Sequence, residues 1–315
     1  DSTARKVNYL ARGKQKMCRI IPNKGETFDV NLHNYLCLKY CPETNQNKLF
    51  IKYYDENLKK ITKYFKNINE FKKFKKECEE KVYEVRVDKY LELPKYVQKR
   101  FFIYRNEVKF EYKKVFDPYL LGLWLGDGHS SNTQITNQDS EIIKYLKENL
   151  GQYNLYLQHQ KSKEYGYSIN SIKYHKYGNK LLDVLKNYNL LNNKHIPKDY
   201  KCNSRENQLK LLAGLIDTDG YYDKKRKYYE IVQKKENIID DIIFISRSLG
   251  FSAYKKIKVI NNVKYYRTFI SGNNINEIPV LIKRKKVLEK RKINKNNLNI
   301  GFKVELLSED NYYGF

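Results

Sequence analysis

The feature that most constrains the fold of this chain is an internal repeat that begins at Asp117. Its first copy opens with LLGLWLGDG, residues 120–128, and its second opens with LAGLIDTDG, residues 212–220. In each copy the periodicity predicts the order helix, two strands, helix, two strands, helix. A repeated order of elements predicts two similar halves that pack against each other, and therefore an enzyme with approximate twofold symmetry.

The opening helix of each copy has a recognisable start. Asp117 precedes Pro118, which predicts an N-cap followed by a proline in the first turn. In the second copy, Asn203 with Glu206 three residues later approximates a capping box. These signals place the two helices at equivalent positions in the two copies.

Small residues predict where the two helices end and how closely they pack. Gly128 and Gly220 predict the ends, since glycine adopts the left-handed conformation at low cost. Gly122 in one helix, and Ala213 with Gly214 in the other, remove side-chain bulk from one face. The two helices are therefore expected to approach backbone against backbone.

Each helix motif ends in an aspartate, Asp127 or Asp219. Close packing of the helices would bring both carboxylates to adjacent C-terminal ends, where they repel each other and face the negative ends of the helix dipoles. Divalent cations relieve both effects, so the pattern predicts an oxygen-ligand site for Mg²⁺, with the carbonyls of Gly126 and Thr218 as further ligands. Cations between two carboxylates can stabilise the attacking and leaving oxygens of a phosphodiester.

The charge of the chain favours a polyanionic partner. Its 62 Lys and Arg residues against 36 Asp and Glu residues give a formal net charge of +26. Binding to nucleic acid would neutralise this charge and release condensed counterions. Charge alone leaves a ribosome-associated protein, or a compositional bias towards lysine, as alternatives.

The two motifs resemble the paired LAGLIDADG blocks of monomeric homing endonucleases, over roughly residues 117–295. Asp127 and Asp219 match the metal-binding acidic position, whereas Leu125 departs from an earlier aspartate of the pattern. The resemblance implies an α+β fold, with two pseudo-symmetric αββαββα halves that form a DNA-binding saddle. It implies a monomer that cuts both strands of double-stranded DNA at a long, specific site and leaves short 3′ overhangs. Mg²⁺ is the implied cofactor, and Mn²⁺ is expected to substitute.

The same resemblance implies a catalytic lysine in each half. The KHIP segment that begins at Lys194 resembles the block that carries this lysine in the first half. In the second half the segment IKRKK contains Lys283, Lys285 and Lys286, and Lys285 is the preferred candidate. Such lysines stabilise the negative transition state or tune the attacking water. An ordinary surface lysine before a turn proline is the alternative for Lys194.

Polar residues on the predicted strands are candidates for water orientation and base recognition. Asn137 and Gln233 lie at equivalent strand ends and are expected to orient the nucleophilic water, with ordinary strand-end hydrogen bonding as the alternative. Base readout by twisted strands requires side chains that reach into a groove. The candidates for this role are Gln134, Gln158, Gln160, Lys161, Lys255 and Lys258.

A basic segment from Lys59 to Lys76 lies outside the repeat. It contains a single glutamate, and aromatic residues interleave its lysines, as expected of a surface that both packs and contacts phosphates. A solvated helix face is the alternative. The lysines expected to contact DNA are Lys59, Lys60, Lys63, Lys66, Lys72, Lys73, Lys75 and Lys76.

The flanks resemble the splicing (Hint) domain of inteins. DSTARKVNYLARGKQKMCRIIPNKGETFDVNLHNYLCLKY resembles the N-terminal splicing blocks, and VELLSEDNYYGF resembles a late block. The resemblance implies a partial, mainly β, Hint-like domain in residues 1–108, with a basic DNA-contacting insertion at about 45–85. The two LAGLIDADG halves would then occupy residues 109–203 and 204–295. Residues 296–315 would return to the splicing-like domain.

Splicing itself is not expected of this sequence. Intein splicing requires an N-terminal Cys or Ser and a C-terminal Asn, whereas these positions hold Asp1 and Phe315. The sequence contains no apolar stretch that predicts a membrane span, and its five cysteines lack the spacing of a disulfide framework, so an intracellular (nuclear or cytoplasmic) location is expected. The competing function is an RNA maturase of the same family, or a DNA-binding protein that no longer cuts.

Overall fold

The computed structural model describes residues 6–172, 178–288, 296 and 298–314. The chain divides into two compact units. Residues 3–105 and 296–315 form the strand-rich unit, and residues 106–295 form the repeat unit. In the described residues, no helix has the length and apolar character needed to cross a membrane.

The strand-rich unit contains three small sheets and three helices. Its elements are β1 (Ala11–Pro22), β2 (Phe28–Asn31), β3 (Tyr35–Tyr40), β4 (Glu43–Asn45), β5 (Phe50–Tyr54), β6 (Lys60–Tyr64), α1 (Ile68–Glu80), β7 (Val82–Arg86), α2 (Val87–Glu92), α3 (Lys95–Gln98), β8 (Phe101–Tyr104), β16 (Asn299–Ile300) and β17 (Phe302–Gly314). The sheet orders are β17-β1-β2, β16-β8-β3-β7 and β4-β5-β6. The longest pairing joins β1 to β17 antiparallel, from Ala11 opposite Gly314 to Pro22 opposite Phe302. Residues far apart in sequence therefore build one ribbon.

The basic segment of the strand-rich unit does not form a single helix. Its first part is strand β6, which pairs with β5, and its second part lies in helix α1, capped by the Asn67 side chain. Phe65, Phe71 and Phe74 pack in a small apolar cluster, whereas Tyr64 is 73% exposed. The aromatic residues of this segment therefore serve mainly to anchor it, while most of its lysines remain at the surface.

The repeat unit contains the two copies of the motif. Its elements are α4 (Pro118–Asp127), β9 (Gln134–Thr136), α5 (Ser140–Asn149), β10 (Leu155–His159), β11 (Gly166–Ser171), α6 (Lys180–Asn187), α7 (Lys198–Lys201), α8 (Arg205–Asp219), β12 (Gly220–Asp223), β13 (Tyr228–Gln233), α9 (Glu236–Ser248), β14 (Lys255–Ile260) and β15 (Val263–Ile270). The sheet orders are β10-β11-β9 and β12-β13-β15-β14. One hydrophobic core, with both motif helices inside it, runs through the unit.

Two predicted elements of the αββαββα order are wrong in detail. The first strand of the first half is reduced to a bridge between Gly128 and Ile135. The helix predicted after Pro279 is, up to residue 288, only a 3-10 turn over Lys283–Lys285. Main-chain N–H groups just after Pro279 donate to the Asp217 carboxylate instead of to a helical carbonyl, so the chain there is extended. Residues 289–295 lie outside the described part of the chain.

The predicted helix starts are correct for α4 and shifted by one residue for α8. The Asp117 carboxylate accepts hydrogen bonds from the N–H groups of the first turn, and Pro118 occupies the first helical position. Helix α8 is capped by Ser204, whose hydroxyl accepts from the N–H of Asn207. Asn203 is fully buried and binds the main chain of Lys113 instead, so tertiary contacts determine its role.

The glycines after the two motif helices are not left-handed, contrary to the prediction. Gly128 has φ −72° and Gly220 has φ −88°, both extended conformations. Glycine is required at these two positions because a side chain would not fit there. A Cβ on Gly220 would lie 2.6 Å from the Ile216 carbonyl oxygen, and one on Gly128 would overlap the Trp124 ring.

The close approach of the two motif helices is confirmed. A Cβ on Gly122 would lie 3.0 Å from Gly214 Cα and would overlap the Leu211 carbonyl oxygen. A Cβ on Gly214 would lie 2.8 Å from the Leu123 nitrogen. Backbone therefore meets backbone along α4 and α8, and the last residues of the two helices lie side by side.

Candidate active site

The two motif aspartates lie at the neighbouring C-terminal ends of α4 and α8. A Cβ on Gly126, the residue before Asp127, would lie only 3.0 Å from Asp219 Oδ2. Burial raises the pKa of Asp127 to about 6, and the nearby Asp219 carboxylate acts in the same direction. Burial also raises the pKa of Asp219. The structure therefore brings the two predicted carboxylates together where their negative charge is disfavoured.

Each carboxylate receives one hydrogen bond from a side-chain amide. Asn137 Nδ2 donates to Asp127 Oδ2 at 2.6 Å, and Gln233 Nε2 donates to Asp219 Oδ2 at 2.6 Å. The Asn137 Oδ1 atom also accepts from the N–H of Asp139 at 2.8 Å. Each amide therefore orients one oxygen of its carboxylate, and the expected role of Asn137 and Gln233 in orienting water stays a prediction.

The two predicted lysines lie at equivalent places, each over the last carbonyl groups of a motif helix. Lys194 Nζ donates to the carbonyl oxygens of Trp124 at 2.9 Å, Leu125 at 3.0 Å and Gly128 at 2.6 Å. An ammonium group at this position satisfies helix-end carbonyls and opposes the negative end of the helix dipole. Burial lowers the pKa of Lys194 to about 8, although both motif aspartates act in the opposite direction.

Lys285 repeats this arrangement on the second helix. Its Nζ donates to the carbonyl oxygens of Ile216 at 2.8 Å and Asp217 at 2.7 Å. The side chains of Lys283 and Lys286 are exposed, whereas Lys285 is buried, which distinguishes it from the two neighbouring candidates. Burial also lowers the pKa of Lys285.

The carbonyls proposed as metal ligands are near the lysines. Lys194 Nζ lies 3.4 Å from the Gly126 oxygen and Lys285 Nζ lies 3.3 Å from the Thr218 oxygen, the longest of each lysine's contacts. A carbonyl oxygen has two lone pairs, so one remains for another partner. Three or more acidic, His or Cys side chains do not cluster anywhere in the described residues. The donor set of two carboxylates and carbonyl oxygens suits Mg²⁺, which keeps several waters and binds substrate phosphate.

The buried Asp127 carboxylate should cost stability at neutral pH. Because its folded pKa lies above its ordinary value of 3.8, the folded state binds the proton more tightly, and stability is lost as the pH rises through about 6. Asp127→Asn keeps the amide contact and removes the charge. We expect it to stabilise the metal-free protein at pH 7.5 by about 1–3 kcal/mol and much less at pH 4.

Urea unfolding of the wild type and Asp127→Asn at both pH values, in chelator, measures this difference. Glu148→Gln is the matched control, since Glu148 is an exposed acid on α5. A stabilisation of equal size at the two pH values would contradict the assignment of the effect to the Asp127 charge.

The polar residues predicted to read DNA in the first half share one face of its sheet. Strand residues alternate between faces. Ile135, Leu157 and Ile169 lie on the face packed against the core. Three predicted glutamines lie on the opposite face with Ser168 and Asn170, and Lys161 is exposed beyond strand β10. Those glutamines are Gln134, Gln158 and Gln160.

In the second half, the two candidate lysines Lys255 and Lys258 lie on opposite faces of the sheet. Lys255 Nζ contacts Glu236 at 2.6 Å and Asp240 at 2.9 Å, so it is directed towards α9 and is ion-paired. Lys258 lies on the other face with Lys256, which the sequence analysis did not select. Lys255 and Lys258 face opposite sides of the sheet because they are three residues apart in one strand.

The lysines of the basic segment differ in their surroundings. Lys75 and Lys76 form ion pairs with Glu79 and Glu80 on the same helix, and Lys60 lies 3.9 Å from Glu43. Lys63 lies over the Phe74 ring. Four further lysines have neither an acidic partner nor a ring contact in the described part of the chain. They are Lys59, Lys66, Lys72 and Lys73.

Asp217, two residues before the last aspartate of the second motif, is not among the site residues expected from the sequence. Asp217 is buried within α8 and accepts a hydrogen bond from the Tyr119 hydroxyl at 2.7 Å. An acid inside an otherwise apolar helix was the available signal, since a buried carboxylate requires specific donors.

Parts of the chain are similar to known proteins. A family model described as homing endonuclease matches residues 195–293. The replicative DNA helicase DnaB of Mycobacterium intracellulare is 36% identical over 103 residues, 33% of this chain and 14% of that protein. The homothallic switching endonuclease of Saccharomyces cerevisiae is 32% identical over 159 residues, 43% of this chain and 27% of that protein. The chain thus spans about a quarter or less of the length of these relatives.

Two solved structures are similar in part. A mesophilic variant of the homing endonuclease I-DmoI has 20% identity, covers 49% of this chain and 87% of its own, and has a TM-score of 0.35. I-DmoI in complex with DNA and Mn has 19% identity, covers 53% of this chain and 96% of its own, and has a TM-score of 0.37. The family match is confined to residues 195–293, so it shows that this part of the chain is similar to the homing endonuclease family.

Proposed function

We propose that this protein is a site-specific endonuclease that hydrolyses both strands of double-stranded DNA. The observation that carries the proposal is the duplicated set of an aspartate, an amide and a lysine at the paired ends of α4 and α8. The sets are Asp127, Asn137 and Lys194 in one half, and Asp219, Gln233 and Lys285 in the other. Two equivalent sets match two equivalent phosphodiester bonds on antiparallel strands.

The donor chemistry supports divalent cations as cofactors, with Mg²⁺ used and Mn²⁺ as a substitute. Asp127 and Asp219 would hold them, with the Gly126 and Thr218 carbonyls as further ligands. When bound, the cations would stabilise the attacking and leaving oxygens of the phosphodiester. The protein's own residues have separate tasks. The amides fix one oxygen of each carboxylate, and the lysine ammonium groups add positive charge beside the site where negative charge develops.

The open faces of the two sheets are the proposed DNA-binding surfaces. The first half offers amide and hydroxyl groups, which pair with base edges, and the second half offers Lys256 and Lys258. The chain as a whole has a net charge of +26, which favours binding to the phosphate backbone. We also propose that the enzyme acts as a monomer, since one chain supplies both halves of the site.

The finer proposals rest on sequence resemblance. The flanks resemble intein splicing blocks, so we propose that the enzyme derives from an intein and that the strand-rich unit descends from its splicing domain. A long target and short 3′ overhangs follow from the resemblance of the repeat to LAGLIDADG enzymes. The alternative functions, an RNA maturase or a DNA-binding protein that does not cut, do not require two complete metal-binding sets.

Selection of cleaved sites from a randomised double-stranded DNA library in Mg²⁺ tests the proposed function. The expected result is a long, partly degenerate consensus, with cleavage that stops in chelator. Recovery of bound but uncut DNA from the same library would support the non-cutting alternative. Binding to structured RNA with no cleaved DNA consensus would support the maturase.

The basic segment gives a separate prediction about DNA affinity. Replacing Lys59, Lys66, Lys72 and Lys73 with alanine should weaken binding and flatten the dependence of log K on log salt by roughly two to four, because each phosphate contact contributes about 0.9. Cleavage at saturating enzyme should change little. Fluorescence anisotropy over a series of salt concentrations measures the slope.

The control for this prediction changes the net charge equally. It replaces four ion-paired lysines from outside residues 45–85, namely Lys89, Lys113, Lys144 and Lys210. Equal slopes for the two variants would mean that the basic segment is a solvated surface and that only net charge matters.

A further inference from the structure

One buried carboxylate of the repeat unit lies outside the proposed metal-binding pair. Asp217 is only 1% exposed. Its Oδ2 atom accepts hydrogen bonds from the Tyr119 hydroxyl and from the Leu281 N–H, both at 2.7 Å, and its Oδ1 atom accepts from the Ile282 N–H at 3.3 Å. Both of its oxygens are therefore satisfied by specific donors, as a buried carboxylate requires.

Two of these donors belong to the segment that carries Lys285. We call residues 279–286 the lysine strap. The N–H of Lys285 donates to the Ile282 carbonyl oxygen at 2.9 Å, and the Tyr229 hydroxyl donates to the Lys285 carbonyl oxygen at 2.8 Å. Because Asp217 holds Ile282, and Ile282 starts the turn that presents Lys285, a shift at Asp217 is transmitted to the ammonium group.

The lysine strap is also held from the first half of the repeat, and so is Asp217. Tyr119 comes from α4, Glu141 of α5 accepts from the N–H of Lys283 at 3.1 Å, and Asp139 forms an ion pair with Arg284. These contacts cross from one half to the other. The place of Lys285 therefore depends on the docking of the two halves.

The first half holds its own lysine in a different way. The N–H of Asn192, two residues before Lys194, donates to the Ser130 carbonyl oxygen at 2.7 Å, which lies in the same half. The position that matches Asp217 is Leu125, whose side chain accepts no hydrogen bond. The two lysines thus occupy equivalent positions, but different contacts hold the segments that carry them.

We propose that Asp217 is a positioning residue, which binds the main chain of the lysine strap and thereby sets the place of Lys285 Nζ. The position of Lys285 then depends on Asp217, whereas the position of Lys194 in the first half does not. The catalytic consequence rests on the proposed endonuclease function, whereas the placement of Lys285 does not.

Chemical labelling of lysines in Asp217→Asn tests the placement without any need for cleavage. Asparagine has only one acceptor oxygen. If this oxygen takes the place of Oδ2, the amide N–H groups face the Ile282 N–H; if it takes the place of Oδ1, the two contacts of Oδ2 are lost. In either orientation part of the strap detaches. With a lysine-acylating ester and mass spectrometry, labelling of Lys285 relative to Lys194 should rise by about fivefold, the effect of losing one ordinary hydrogen bond on a local opening. Tyr119→Phe removes one donor and should give a smaller rise.

The matched control is Tyr145→Phe. It removes a partly buried tyrosine–carboxylate hydrogen bond, from Tyr145 to Asp117 at 2.6 Å, while the Phe ring keeps the packing of this side chain against Tyr119. The labelling ratio should stay at the wild-type value. If Asp217→Asn and Tyr119→Phe leave the ratio unchanged, or raise it no more than Tyr145→Phe does, the positioning role is overturned.

Strand-specific nicking tests the consequence for catalysis. On a target labelled differently on each strand, Asp217→Asn should shift the ratio of the two cutting rates by about tenfold or more, so that nicked DNA accumulates. A purely structural role would slow both strands alike, and that result would also overturn the proposal. If the wild type cuts no DNA, the proposed endonuclease function is wrong. The labelling ratio would still decide whether Asp217 positions Lys285.

Discussion

Asp127→Asn and Asp219→Asn are each expected to abolish DNA cleavage, by about 10³-fold or more, while DNA binding survives. Asparagine matches the shape of the carboxylate and can still accept the 2.6 Å hydrogen bond from its amide neighbour. It lacks the charge that would hold a divalent cation. Removing one of the two carboxylate charges also lowers repulsion from the DNA phosphates, so affinity should hold or improve.

Single-turnover cleavage in Mg²⁺, together with anisotropy measurements of affinity in Ca²⁺ or chelator, separates the two effects. Glu148→Gln, an exposed acid-to-amide change in the same unit, serves as the control and should cut normally. Near-normal cleavage by either aspartate variant would contradict the assignment of both carboxylates. Rapid cleavage by the wild type without any divalent cation would contradict the proposed requirement for a metal ion.

Lys194→Ala is expected to lower the cleavage rate constant by about 10²–10³-fold and the affinity far less. The ammonium group lies at the end of α4 beside Asp127, where a cation favours the charge that develops in the transition state. Burial leaves its pKa at about 8, so the group is mainly protonated at neutral pH. Lys194→Arg keeps the charge but cannot place it in the same cavity, so it should rescue only part of the rate.

Lys198→Ala is the control, since Lys198 is exposed on α7 only four residues further along the chain. Thermal unfolding of each variant shows whether loss of the helix-end contacts has damaged the fold. If the affinity of Lys194→Ala falls as much as its rate, Lys194 is a phosphate contact and not part of the catalytic machinery.

Much of the candidate site could be predicted from local sequence. Asp127 and Asp219 follow from their place at the end of apolar helices that small residues allow to pack together. Lys194 is implied by the resemblance of KHIP to the family block that precedes the second motif helix. These features are local, because each depends on a few neighbouring residues and on the geometry of one helix.

Predictions that required knowledge of neighbours were less accurate. Gly128 was expected to adopt a left-handed conformation, whereas it is needed for the space it leaves beside Trp124. Asn203 was expected to cap a helix, whereas it binds the distant main chain of Lys113. Lys255 was expected to face DNA, whereas acids on α9 pair with it. In each case a partner far away in sequence determined the outcome.

The sequence by itself determined the two motif helices, their close contact and the pair of acids at their ends, since helix periodicity and residue size are properties of short segments. Only the tertiary structure decided which of three lysines reaches the second helix end, and that the buried Asp217 holds its segment in place. The physical reason is that burial and hydrogen-bond satisfaction depend on every element packed around a group. A segment such as residues 279–286 has almost no regular structure of its own, so its contacts with both halves give it a defined conformation.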